Sequence, residues 1–139
     1  SKDDGSAWRV GIQDPNAPSD PDSYVGVLQL TNAFAVTSGS YDRFFEQDGS
    51  IYHHIIDPRT GYPAESDLLS VSVISEDGML ADCMSTALFI EGKQAALQRM
   101  QEEAYQLVIV DTDGNIYYSP SLEGNIQLNT DNQRDYHWN

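Results

Sequence analysis

The chain has a single cysteine, Cys83, in 139 residues. No intrachain disulfide can form, and no two-cysteine metal spacing exists. Positive charge is also scarce: seven Lys and Arg stand against 22 Asp and Glu, a formal net charge of −15. That balance argues against nucleic acid or an anionic membrane as a partner. A phosphate-bearing ligand stays compatible with it where a metal cation neutralises the ligand locally. No apolar run approaches the roughly 20 residues that span a bilayer, and no signal peptide is visible. The opening Ser-Lys-Asp-Asp-Gly reads as the interior of a longer sequence, with any export signal or lipid anchor expected upstream. A Gly-x-Gly-x-x-Gly or Walker-type loop and a His-x-x-x-His pair are missing as well.

What is present is a globular composition, 40% hydrophobic and 21% charged, at a length suited to one domain or part of a larger one. Trp8 to Gln13 alternates apolar and polar residues, with Trp8, Val10 and Ile12 on one face of a strand. Asp14 to Asp22 reads as a loop. Tyr24 to Leu30 and Ala33 to Ser38 read as strands joined through Thr31-Asn32 as a hairpin. Tyr41 to Glu46 and Ile51 to Ile56 flank Asp48-Gly49, a stronger hairpin signal, because Asp-Gly adopts positive φ readily. Leu69 to Ser75 is a further strand with Leu69, Val71 and Val73 on one face.

The period then changes. Leu80, Met84, Ala87 and Leu88 fall on one stripe of a helix running from about Asp77 to Glu91, capped by Ser75 or Asp77 and stopped at Gly92. A second helix is expected from Lys93 to about Glu103, with Ala96, Leu97 and Met100 inward. Tyr105 to Val110 and Ile116 to Tyr118 form strands about a Thr112–Asn115 turn, and the polar stretch after Pro120 is expected to be loosely held. The fold class is α+β, a largely antiparallel or mixed sheet with packed helices.

Two clusters can carry chemistry. In His53-His54-Ile55-Ile56-Asp57-Pro58-Arg59-Thr60-Gly61, a strand delivers a histidine into a tight turn near solvent, where it can act as a general base. Alternation sets His54 and Ile56 on one face and His53 and Ile55 on the other, so one histidine faces any given site. The competing reading makes Asp57 the cap of the turn and the histidines ordinary strand residues. In Met79-Leu80-Ala81-Asp82-Cys83-Met84-Ser85-Thr86-Ala87, Asp82 and Thr86 stack at i and i+4 with Ser85 beside them. These are hard oxygen donors suited to magnesium. Their apolar neighbours place them near the buried side of the helix, and Cys83 is expected to pack rather than react. The competing reading is an Asp favoured by the helix dipole and a Thr bonded back to a carbonyl. Asp111-Thr-Asp113-Gly-Asn115 resembles a calcium loop but has Leu122 where the bidentate Glu belongs; a hairpin turn accounts for it better.

Four ordered blocks carry a resemblance: Ser38-Gly39-Ser40-Tyr41-Asp42-Arg43-Phe44-Phe45, His54 through Pro63, Ser70-Val71-Ser72-Val73-Ile74, and Leu80 through Phe89. In order and spacing the sequence resembles the ApbE family over about Trp8 to Ser119. The resemblance implies a magnesium-dependent FAD:protein FMN transferase, which moves FMN from FAD onto a Ser or Thr hydroxyl and releases AMP. It implies His54 as the base, Asp82 and Thr86 as side chains holding Mg2+ with Ser85 at a neighbouring coordinating position, and Ser38, Tyr41 and Ile56 as lining the flavin nucleotide site. Arg59 and Thr60 are implied to order the turn or touch phosphate. Its partner would be an acceptor flavoprotein subunit of a membrane redox complex, in an extracytoplasmic, membrane-anchored setting. The family's domain is longer, so this chain is expected to be its C-terminal part, poorly active alone, with the rest of the flavin pocket and a carbonyl metal ligand lying outside it. The alternatives are a magnesium-dependent FAD diphosphatase, a non-catalytic flavin-binding module and a bare scaffold.

Overall fold

The computed structural model describes residues 2–41, 44–47, 50–101, 104–130 and 136–139, with 44–47 and 50–52 described by backbone alone. In chain order the elements are β1 Trp8–Gln13, β2 Tyr24–Leu30, β3 Phe34–Gly39, β4 Phe44–Gln47, β5 Ser50–His53, β6 Leu68–Ser75, α1 Gly78–Glu91, α2 Lys93–Arg99, β7 Gln106–Asp111, β8 Asn115–Tyr118, a 3-10 turn Pro120–Leu122, β9 Ile126–Leu128 and β10 His137–Trp138.

The strands make a five-stranded sheet in the order β10-β8-β7-β6-β3, a three-stranded sheet β1-β2-β9, and the β4–β5 ribbon. Pairing is antiparallel except between β8 and β10. Strand β6, interior to the large sheet, is buried along nearly its whole length, because it is covered on both faces. Val71 and Val73 meet α1, α2, Leu107 and Ile109 in one core. Ile74, Val108, Val110 and Ile116 meet Ile12, Val25, Leu28 and Leu30 in the other. The result is three layers, helices on the large sheet and the small sheet behind it. The α+β class with a mixed, largely antiparallel sheet is therefore what the chain forms.

Helix α1 starts where Asp77 accepts from the backbone N–H groups of Met79 and Leu80, at 3.0 and 3.1 Å. It stops at Gly92, whose φ of +87° suits glycine and whose N–H returns to the Leu88 carbonyl at 3.0 Å. Asp67 Oδ1 then accepts from Lys93 N at 2.7 Å as α2 begins. Leu88 and Phe89 are fully buried, each stabilising the fold by about 1.5–3 kcal/mol through burial. Helix α2 is shorter than the spacing implied, ending at Arg99 with Ala96 and Met100 buried; Glu103 lies outside the described residues.

Four expectations are corrected. Thr31-Asn32 is not a hairpin: β2 pairs with β1 and β9, while β3 pairs with β6. Asn32, at φ +52°, turns the chain from one layer into the next. An irregularity between Leu68 and Ser70 moves Leu69 to the small-sheet core, so Leu68 joins Val71 and Val73 instead. The strand expected over Ile51 to Ile56 ends at His53, and Ile56 makes only an isolated bridge to Pro63. Beyond Pro120 the described residues include built-in elements rather than a loose tail: Leu122 is buried, β9 extends the small sheet and β10 the large one. Tyr136 Oη donates to Asp14 Oδ1 at 2.5 Å, holding the end of the chain to its beginning. Both flanks of the Asp48-Gly49 turn pair as β4 and β5; the turn itself, Asp42 and Arg43 lie outside the described residues.

Candidate active site

Strand β3 and helix α1 run side by side in the same direction. Gly78 meets the Phe34 ring at the start of the seam, and Ser85 meets Ser38 further along it. Four strand residues span about 13 Å and seven helical residues about 11 Å, so the two elements stay in step. Ser38 lies at their meeting point. Its Oγ is 2.9 Å from Ser85 Oγ and 3.1 Å from Thr86 Oγ1. Ser85 is fully buried and donates to the Asp82 carbonyl at 2.9 Å. Residues expected to serve flavin and metal separately, Ser38 on one side and Ser85 with Thr86 on the other, thus share one hydroxyl cluster.

The outer face of α1 corrects the expected burial. Met79, Asp82, Cys83 and Thr86 are exposed, spaced at i, i+3, i+4 and i+7. The helix sets its small residues Ala81 and Ser85 against the sheet, which rotates Asp82, Cys83 and Thr86 outward. Cys83 is accordingly an exposed thiol. The Asp82 carboxylate has no hydrogen-bond or ion-pair partner among the described residues. Beside the cluster, a Cβ on Gly39 would stand 2.5 Å from Tyr41 Cε1 and 3.1 Å from the Leu69 carbonyl. Only glycine admits the Tyr41 ring folded over the end of β3.

The segment after β5 forms the second part of the site. Asp57 N donates to Tyr62 O at 2.9 Å and Ala64 N to Ile55 O at 2.9 Å, closing a narrow loop. Inside it Asp57, largely buried, accepts from Arg59 N at 2.8 Å, Nε at 2.9 Å and Nη2 at 2.7 Å. The Arg59 side chain, and after it the Arg59 backbone N–H, hold the Asp57 carboxyl below the usual carboxylate range. Arg59 therefore orders the turn. His54 and Ile56 face outward and are exposed, while His53 and Ile55 turn inward, as alternation requires. His53 Nε2 lies 3.0 Å from the Ala64 carbonyl, and its ring meets Phe89 edge-on at 5.7 Å. Ser66 Oγ donates to the Phe89 carbonyl at 2.7 Å. These two contacts anchor the His54 segment to α1 one turn beyond Ser85 and Thr86. Sequence reasoning assigned no role to His53 or Ser66; the inward phase of His53 was the available signal.

The donor set fits a magnesium ion of the kind that keeps most of its other ligands from water and substrate phosphate. Asp82 offers an exposed carboxylate and Thr86 an exposed hydroxyl oxygen on the same helix face. Among the described residues no group of three or more His, Cys, Asp or Glu side chains gathers, so a dedicated all-protein cage is not what this face provides. A cavity of about 570 Å3, bordered by Leu30, Ile74, Asp77, Leu80, Leu122 and Asn125, opens at the other end of α1 and contains none of these residues.

Residues 1–110 match the model of the ApbE family. The chain belongs to the ApbE family. A relative from Klebsiella pneumoniae named FAD:protein FMN transferase is 40% identical over 115 residues, covering 81% of this chain and 36% of its own length. One of the same name from Treponema pallidum is 42% identical over 95 residues, 68% of this chain and 26% of its own. The crystal structure of the ApbE protein from Thermotoga maritima superposes with a TM-score of 0.75 at 36% identity, over 86% of this chain and 38% of that one. The flavin transferase ApbE from Vibrio cholerae gives 0.68 at 29% identity, over 87% and 38%. The chain thus spans about a third of the length of the ApbE relatives it matches. Both parts of the site, β3 with α1 and the His54 segment, fall within the matched residues.

Proposed function

We propose that the protein carrying this sequence transfers FMN from FAD to a Ser or Thr hydroxyl of an acceptor flavoprotein and releases AMP, with magnesium required. The observation that carries the reading is the seam between β3 and α1, where Ser38, Ser85 and Thr86 gather beside the exposed Asp82. The names of the relatives support the same reaction.

FAD carries a pyrophosphate between its flavin and adenosine halves. Asp82 and Thr86 would hold the ion, with Ser85 beneath them. When bound, magnesium offsets charge on the pyrophosphate and on the departing AMP. His54 accepts the proton of the incoming hydroxyl through a ring nitrogen. The hydroxyl oxygen bonds to the FMN-side phosphorus as the bond from that phosphorus to the bridging oxygen breaks, and AMP leaves with that oxygen. Ser38, Tyr41 and the exposed Ile56 would border the flavin nucleotide. The anchored turn at Asp57 and Arg59 keeps His54 from drifting between encounters. We infer an acceptor in a membrane redox complex, outside the cytoplasm, from the family resemblance alone.

The test is incubation of the full-length protein with FAD, magnesium and an acceptor bearing a Ser/Thr-Gly-Ala-Thr type of motif. Covalently fluorescent acceptor together with stoichiometric AMP supports transfer. AMP and free FMN without labelled acceptor point to a diphosphatase, and tight FAD binding without turnover to a binding module; either outcome removes the proposal.

A further inference from the structure

The hydroxyl contacts between β3 and α1 have a direction. Ser85 Oγ lies 2.9 Å from the Asp82 carbonyl oxygen, which can only accept, so the one Ser85 proton is committed there. Ser38 Oγ, 2.9 Å from Ser85 Oγ, must therefore donate to it. Ser38 has no second proton. Across its 3.1 Å contact with Thr86 Oγ1 it is the acceptor, and Thr86 donates. The proton order runs from Thr86 to Ser38 to Ser85 to the Asp82 carbonyl. A mid-helix threonine commonly bonds back to the carbonyl four residues earlier. Here its neighbour Ser85 bonds to that carbonyl, and Thr86 reaches across to the strand instead.

We propose that Ser38 is a positioning residue for the metal: by taking the Thr86 proton it leaves Thr86 Oγ1 with only lone pairs toward the face it shares with the exposed Asp82 carboxylate. A cation is attracted by those lone pairs and repelled by a hydroxyl proton pointed at it. Ser38 itself does not coordinate; its partners are the two hydroxyls. Ser85, buried beneath, closes the chain and keeps Ser38 from turning its own proton toward Thr86. The inference rests on the magnesium reading above and assigns Ser38 a part different from lining the flavin site.

Mn2+ is the probe, titrated into the full-length protein without FAD, with free ion followed by electron paramagnetic resonance and folding by melting temperature. Wild type is expected to bind. Ser38→Ala should bind about fivefold to tenfold more weakly, the loss of one hydroxyl hydrogen bond, and Ser38→Thr should bind as wild type does. The same shift should appear in the magnesium concentration needed for half-maximal activity. Ser38→Ala binding Mn2+ like wild type, or Ser38→Thr binding as weakly as Ser38→Ala, overturns the proposal. Should Ser38→Ala fail to fold, Ser85→Ala carries the same test, since it frees the Ser38 proton, and unchanged binding there is equally fatal. Wild type that binds no Mn2+ refutes the magnesium reading itself.

Discussion

Lys93 Nζ stands 2.6 Å from Asp111 Oδ2, tying the first residue of α2 to the last residue of β7. Asp111 also organises the β7–β8 turn, accepting from Asp113 N at 3.0 Å, Asn115 N at 2.7 Å and Asn115 Nδ2 at 3.0 Å. The acidic run at 111–115 is thus a hairpin held by one buried carboxylate. Burial opposes its charge, but Lys93 and Asn115 outweigh burial and hold the Asp111 carboxyl below its ordinary 3.8. Asp111→Ala, which strands Lys93 and three turn donors, should cost about 3 kcal/mol in denaturant unfolding. A depressed carboxyl stabilises the fold above its unfolded pKa and loses that contribution as pH falls through its folded one. Melting temperature should therefore fall more steeply below pH 3.8 in wild type than in Asp111→Asn.

His54 and Asp82 are both exposed, so their removal should leave stability nearly unchanged. His54→Ala should lower FMN transfer by about 100-fold to 10,000-fold at any magnesium concentration. Asp82→Ala should lower it with a raised magnesium requirement. Normal transfer in either variant, read from acceptor fluorescence, rules out the role given to that residue.

Gly39→Ala should force the Tyr41 ring off the end of β3, with a loss of about 1–3 kcal/mol for overpacking. Tyr41→Ala in the same chain should recover part of that loss. A double-mutant cycle in urea measures the coupling, expected to exceed about 0.5 kcal/mol; additive effects would mean that the ring is not what excludes a side chain there.

The grip of Arg59 on Asp57 is two-pronged, through Nε and Nη2. Arg59→Lys retains a positive charge but not the planar fork. It should lower kcat about tenfold through looser placement of His54, with KM for FAD little changed. A larger change in KM than in kcat would put Arg59 on the substrate instead.

Cys83 should react with a thiol reagent in the native protein at nearly the rate seen in urea, because it lies on the exposed face of α1. Protection by more than about tenfold would place it in a covered face.

Strands with one wet face were legible from the sequence. Trp8–Gln13 and Tyr24–Leu30 occur with the bounds that alternation implied, and Asp77 and Gly92 mark the ends of α1 by cap chemistry that acts within four residues. Layer choice was not legible. Thr31-Asn32 has the composition of a turn in either case, and whether it folds a strand back or carries it to another sheet depends on partners far along the chain. The facing of α1 was ambiguous for a related reason. Leu80, Met84 and Leu88 suggest one stripe, yet close approach to β3 and β6 favours Ala81 and Ser85 inward, which decides that Asp82 looks out. Asp82, Ser85 and Thr86 are neighbours along one helix, which the sequence spacing conveys. That Ser38 reaches Ser85 and Thr86 across 47 and 48 positions is a tertiary fact with no local signature.

The bond between Asp14 and Tyr136 joins positions 122 residues apart, and β2 and β8 each take their last partner from residues 126–138. During synthesis the interior strands therefore emerge long before the pieces that close them. A nascent chain ending near Pro120 leaves the free edge of β2 and the apolar side of β8 open to other chains. Residues 126–138 are in this sense a latch on both sheets, and until they emerge β2 and β8 each lack a neighbour.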